Sequence, residues 1–417
     1  MRVNQIIIHC RELITMEEII AGSPMRGLGS IPDGALAIQD GLIVGLGSTD
    51  EILRDFEAEE TIDASGLIAM PGFVDSHTHP VFVHTREKEF TLRLAGKSYV
   101  EISQAGGIRS TISTTRDADE NTLTELAKQR ILKMITQGTT TLEAKSGYGL
   151  DTESELRQLR VIKRLGEELP LDIVPTFMGA HEYPAEYKQD HEAYIKILCE
   201  EMIPAVAEQG IAEFCDIFTE AHVFSIADSR KILETARSFG MKLKMHADEI
   251  EPIGGAELAA ELGCVSADHL GAASDEGIRA MAAKGVVPCL LPATLFSLRA
   301  KTYARARAMI EAGLPVAIAT DYNPGSCNCD SMPFTMTLAC LQMGMLPAEA
   351  LCAATYNAAR ALGREDSIGS LKVGKQADIT LWDIPSVDFI PYHFGSSHLQ
   401  TVIKKGSIIY SSGRFYG

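Results

Sequence analysis

One punctuation recurs through the middle of this 417-residue chain: an amphipathic stretch, a glycine, then a short apolar, β-rich run. Glycine in the left-handed conformation is the usual helix terminator, so each repeat reads as a helix end followed by a strand. The marker precedes Thr139–Lys145 (Gly138), Ala212–Phe218 (Gly210), Leu243–His246 (Gly240), Cys264–His269 (Gly263), Val286–Leu290 (Gly285) and Leu314–Asp321 (Gly313). Leu171–Phe177 follows Pro170 instead, and Phe73–His79 opens the series, which makes eight strands. The segments between them carry helix signals. Thr152-Glu-Ser-Glu155 predicts a capping box opening a helix whose apolar face is Leu156, Leu159, Ile162 and Leu165, and Ser225 and Ser274 are expected N-caps. Eight strand–helix units in series point to an α/β architecture, a closed parallel (β/α)8 TIM barrel. The rival, an open doubly wound sheet, would carry a phosphate-binding glycine fingerprint after the first strand, where this chain has His77-Thr78-His79-Pro80.

The flanks are of another kind. Ala35–Leu46 reads as two apolar strands around an Asp40-Gly41 turn, a hairpin signal. The tail offers Ala377–Trp382 and Thr401–Tyr410, again strands with a turn at Lys405-Gly406. Each flank alone is too short to bury a sheet, so both termini are expected to pair into one small β-sandwich against the barrel. The expected division is therefore 1–68 and 367–417 for the sandwich and 69–366 for the barrel.

A barrel gathers the carboxyl ends of all its strands on one face. By that rule His77 and His79 after the first strand, His181 beyond the third, His246 on the fifth, His269 on the sixth and Asp321 on the eighth share one mouth. Those are five of the chain's eleven histidines. Each alone would read as a hydrogen-bonded core or capping group; what makes them a site is that all of them end strands. His77, His79, His246 and Asp321 form a ligand set suited to one divalent zinc or iron ion. Glu249, three residues past His246, is a candidate base, and His269 is either a hydrogen-bond donor to a reacting carbonyl or a fourth imidazole ligand.

Composition narrows the partners. A formal charge of −18 argues against nucleic acid or an anionic membrane surface and for a soluble enzyme. The opening run Ile6-Ile7-Ile8 is too short for a signal or spanning segment. Nine cysteines, odd in number and scattered from Cys10 to Cys352, read as reduced residues of a cytoplasmic protein. Cys327-Asn328-Cys329 is given a loop-packing role, since a zinc ribbon needs a second pair.

Several longer motifs carry a resemblance. Pro71-Gly72-Phe73-Val74-Asp75-x-His77-x-His79 and Gly374-Lys375-x-Ala377-Asp378 resemble the amidohydrolase superfamily of metal-dependent barrel hydrolases. His79-Pro80 with Arg86, Gly96-Lys-Ser-Tyr99, Lys145-Ser-Gly-Tyr148, Gly179-Ala-His181, His246-Ala-Asp-Glu249, Ala267-Asp-His269 and Thr320-Asp321-Tyr-Asn323-Pro-Gly325-Ser326 are similar to its branch that opens an imidazolone ring in histidine degradation. Ala105-Gly-Gly-Ile-Arg109 departs from that branch, where a longer glycine run is expected. The resemblance implies hydrolysis of 4-imidazolone-5-propanoate to N-formimino-L-glutamate, a single metal ion and a homodimer. It makes Arg86, Tyr148, His181, Glu249, Asn323, Gly325 and Ser326 substrate contacts. Arg86 offers a fork for the substrate carboxylate, and Gly325 permits close approach of the backbone. A two-metal site bridged by a modified lysine is not expected, because Lys145 ends the second strand and the fourth ends in Glu220, a weak bridge candidate. The alternatives are a deaminase of guanine-like heterocycles on the same scaffold and a non-catalytic protein of this fold.

Overall fold

The computed structural model describes residues 1–17, 25, 27–97 and 107–416. Ser98 and Tyr99 of one motif, and Ala105 and Gly106 of the departing loop, lie outside them. The barrel strands run Phe73–Asp75, Thr139–Lys145, Asp172–Ala180, Phe214–Thr219, Lys242–Ala247, Ser266–His269, Val287–Leu290 and Ala317–Ile318. Every neighbouring pair is parallel, in sequence order. All six marker glycines have positive φ, the conformation that a side chain would disfavour. Ser225 and Ser274 cap the helices Ile226–Ser238 and Asp275–Lys284 through their side-chain oxygens.

Two local expectations are corrected. The first strand stops at Asp75 instead of reaching His79, because regular pairing with the second strand ends at Leu142. Beyond that point the chain turns to the eighth strand for partners: Asp321 N–H donates to His77 O at 3.0 Å and His79 N–H to Tyr322 O at 2.8 Å. These bonds close the barrel and lay the two histidines beside Asp321. The second correction concerns Thr152-Glu-Ser-Glu155. The helix Thr152–Glu168 is capped one residue earlier, by Asp151 accepting from Ser154 N–H. Glu155 is fully buried, and its carboxylate instead accepts from the N–H groups of Gly147, Gly149 and Leu150 at 2.8 to 3.0 Å. Three donors of a tight loop outbid a helix terminus, and the loop they hold carries Tyr148.

Both termini enter one nine-stranded sheet, in which Ile379–Trp382 pairs antiparallel with Ile68–Pro71. Its inner face joins Ile7, Leu13, Leu36, Ile38 and Ile43 from the front of the chain to Leu371, Ile379, Leu381 and Ile403 from the back. Asp40-Gly41 and Lys405-Gly406 both have positive φ at two successive residues, as tight hairpins require. Gly72 separates this sheet from the first barrel strand. A Cβ there would lie 2.3 Å from Thr140 Cγ2, so only glycine lets the chain cross so close to the second strand. Lys404 ties the sheet to the barrel, reaching Asp378 at 2.7 Å and Asp172 at 2.8 Å. All nine cysteines are free, and Cys327 packs with Ala293 and Leu338. Among the described residues no helix is long and apolar enough to cross a membrane.

Candidate metal and substrate site

The strand ends converge as barrel geometry requires. The His77 ring centroid lies 5.2 Å from that of His79, 4.4 Å from His246 and 5.4 Å from His269, and His181 stacks on His79 at 5.1 Å. His77 Nε2 and His79 Nε2 are 3.3 Å apart, and Asp321 Oδ1 is 3.5 and 3.7 Å from them. Thr294 Oγ1 donates to the other oxygen of Asp321 at 2.6 Å, which keeps Oδ1 turned toward the imidazoles. Several residues here hold unusual backbone: Asp248, His269, Leu270 and Asp321 all have positive φ without being glycine. Strain of that kind collects at functional sites, where the surroundings over-determine the backbone.

Burial disfavours the charged form of His77, His79 and His269. It is the largest cause holding them well below the usual histidine range, and neighbouring rings and Lys145 add to it. His77 Nδ1–H donates to Asp268 Oδ2 at 2.6 Å, which leaves its Nε2 as a lone pair. That lone pair, a second imidazole nitrogen and a carboxylate oxygen converge without a donor to satisfy them all. His246 Nδ1 faces Asp216 Oδ2 at 3.0 Å, whereas buried His79 Nδ1 and His269 Nε2 make no hydrogen bond. The convergence of His77 Nε2, His79 Nε2 and Asp321 Oδ1 fits a divalent cation bound by nitrogen and oxygen ligands. Within the described residues, candidate ion-holding triplets include His77, His79 and Asp321, and His77, His246 and His269.

Beneath the rings lies a charged floor. Glu143, Lys145, Asp216, Lys244 and Asp268 are all fully buried. Lys145 Nζ is 2.6 Å from Asp216 and 2.8 Å from Glu143, and Lys244 Nζ is 2.9 Å from Glu143. Burial alone would lower the Lys145 ammonium; Asp216, Glu143 and Asp268 outweigh it and hold the group protonated. Lys145 is thus engaged in ion pairs with the floor carboxylates. Glu220 accepts from the N–H of Ile250 at 2.9 Å and of Glu251, so it organises the loop after Glu249.

The cavity above has a volume of about 520 Å³. His79, His181, His246, Glu249, His269 and Asp321 line it with Tyr148 and Ser326, and Arg86, Arg93, Lys97 and Arg299 supply cationic side chains. Glu249 Oε2 is 3.6 Å from His269 Nδ1. Burial first, then Asp321 and Glu220, push the Glu249 carboxyl up to about 8. His181 Nδ1–H donates to Gly147 O at 2.9 Å, leaving Nε2 as an acceptor, and burial pushes the ring down to about 3.

Two expected contacts also hold the loop together. Asn323 lines the cavity, but its amide accepts from the N–H groups of Gly325, Ser326 and Cys327 and donates to Asp321 O. Gly325 lies behind Arg86: a Cβ there would fall 1.5 Å from Arg86 Nη2, so the glycine makes room for the guanidinium. Arg93 locks this arrangement by donating to Gly325 O at 3.0 Å. Arg93, Glu182, His222 and Arg299 were not singled out from the sequence, and Lys97 only as part of the Gly96–Tyr99 motif. Arg93 alone offered a signal, since it follows Arg86 by two helical turns along Glu87–Leu94.

A model of the amidohydrolase family matches residues 68–409, and the chain belongs to that family. More narrowly, it is 50% identical to the imidazolonepropionase of Symbiobacterium thermophilum, over 99% of this chain and 98% of that one. It is 49% identical to the imidazolonepropionase of Geobacillus kaustophilus, over 97% and 98%. Among solved structures it is similar to a zinc-bound adenosine deaminase from Xanthomonas campestris (TM-score 0.74, 18% identity, covering 100% of this chain and 94% of that one). A guanine deaminase from E. coli is comparable (TM-score 0.74, 16% identity, covering 98% and 100%). At such identities these two structures speak for the fold alone.

Proposed function

We propose that this chain hydrolyses 4-imidazolone-5-propanoate to N-formimino-L-glutamate. The observation that carries the reading is a single cavity that combines a nitrogen- and carboxylate-lined metal site with a guanidinium seated over a glycine. A purine base carries no carboxylate, so a heterocycle deaminase gives Arg86 nothing to bind. In a chain of charge −18, cations gathered at the mouth favour an anionic substrate.

His77, His79, His246 and Asp321 would hold one divalent ion, zinc or iron. Such an ion supplies Lewis-acid polarisation of the lactam carbonyl and lowers the pKa of water toward neutrality. Arg86 binds the propanoate and so fixes which face of the ring meets the histidines. Glu249 takes a proton from the attacking water, whose oxygen bonds to the carbonyl carbon. As the ring carbon–nitrogen bond breaks, Glu249 returns that proton to the departing nitrogen. The unpartnered Nε2 of His269 donates to the carbonyl oxygen as negative charge develops there. Tyr148 and the Nε2 acceptor of His181 complete the wall against the ring.

The test is the absorbance decay of freshly generated imidazolone propanoate, followed with metal-loaded and chelator-stripped protein. Rapid decay to N-formiminoglutamate, lost on stripping and restored by about one zinc or iron per chain, is expected. Ammonia release from guanine by a metal-loaded protein that leaves the imidazolone untouched would overturn the reading.

A further inference from the structure

The interior of a parallel barrel is ordinarily filled by branched aliphatic side chains, and here the layer under the histidines is ionic. Alternation along the strands puts Glu143 and Lys145, Lys244 and His246, and Ser266 and Asp268 on shared sides of the sheet. The fifth and sixth strands pair Lys244 with Ser266 and His246 with Asp268. The resulting contacts are reciprocal. Asp268 Oδ2 faces His77 Nδ1 at 2.6 Å, while Ser266 Oγ donates to Asp268 Oδ1 at 2.6 Å. Asp216 Oδ2 lies 3.0 Å from His246 Nδ1 and takes Lys145 Nζ at 2.6 Å. Glu143 is held by Thr176 Oγ1 at 2.5 Å and by both lysines, and Lys244 also donates to Ser76 O at 2.8 Å.

We propose that Asp268 and Asp216 are positioning residues that fix the tautomers and ring planes of His77 and His246, with Glu143, Lys145 and Lys244 holding both carboxylates in place. The inference rests on the reading of His77 and His246 as metal ligands. An ionised acceptor at Nδ1 keeps the proton on that nitrogen, so Nε2 presents its lone pair to the ion and becomes more basic.

Asp268→Asn and Asp216→Asn keep the shape and remove the ionised acceptor. The full chain carrying each change is compared with wild type by zinc competition against a chromophoric chelator and by proton resonances of nitrogen-15-labelled histidine rings. Each variant is expected to lose one downfield ring N–H signal and to bind zinc about 10–100-fold more weakly. At saturating zinc kcat falls while KM changes less than about threefold. Ser266→Ala, which removes only the hydroxyl on Asp268, weakens zinc binding by a smaller factor and serves if the Asn variants do not fold. Folded variants with unchanged zinc affinity and unchanged ring signals would overturn the positioning role. A wild type that binds no divalent ion would instead overturn the metal-site reading on which it rests.

Discussion

The two walls of the cavity are built by opposite means. On the metal side His77, His79, His246, His269 and Asp321 lie on a strand end or just past one and are buried, and two of them are braced by other elements: His77 by Asp268, Asp321 by Thr294. On the cationic side Arg86 and Arg93 sit on a loop and a short helix, and Arg86 Nε is 3.4 Å from Glu89 Oε2 without making a hydrogen bond. Bond-making chemistry needs groups held within fractions of an ångström, and strands of a closed barrel supply that. Recognition of a carboxylate needs only a fork with room to settle, and loops supply that at lower cost in constraint. The difference implies that damage to the two walls separates kinetically.

The largest separation is expected at Glu249. Glu249→Gln lowers kcat by about 10²–10⁴-fold while metal content stays at the wild-type level, as metal analysis beside the assay will check. Arg86→Ala moves the other parameter, raising KM about 10–100-fold with a smaller change in kcat. If Arg86→Ala instead lowers kcat as much as Glu249→Gln does, the two walls are not distinct. A finer cut comes from Gly325→Ala. The added methyl displaces the Arg86 guanidinium, so KM rises about 3–10-fold while the melting temperature hardly moves.

The smallest effect concerns His181, which lies beyond a strand end yet is pushed down to about 3 by burial. Its folded pKa lies below the unfolded value of 6.5, so between about pH 3 and 6.5 the unfolded chain holds a proton that the folded chain refuses. Stability from this ring is complete above that window and is lost as pH falls through it. His181→Asn should make the acid limb of the metal-free protein shallower, by about 1.4 kcal/mol per pH unit at most, measured by denaturant unfolding at each pH.

Much of this division was legible in the sequence. Helix-ending glycines located six of the eight strands, and strand ends named His77, His79, His246, His269 and Asp321 as candidates. Those signals are local: a glycine with positive φ, a period of two, a capping serine. What stayed hidden depends on partners far along the chain. Glu155 looked like half of a capping box because its local spacing fits one, while the three loop N–H groups it serves are visible only in space. Glu143, Asp216 and Lys244 were not singled out, since nothing nearby in sequence announces that they face one another. The residue packed against Gly325 is Arg86, from a loop 239 residues earlier, a neighbour that no local pattern could name.

The most direct test of the two-wall division crosses Arg86→Ala with a substrate analogue in which the propanoate is a propanamide. Wild type should lose about 10–100-fold in kcat/KM on the neutral analogue, and Arg86→Ala should lose little further, because the pair has already been broken. Independent, additive losses for the variant and the analogue would contradict it and would assign the carboxylate to another cation of the cavity.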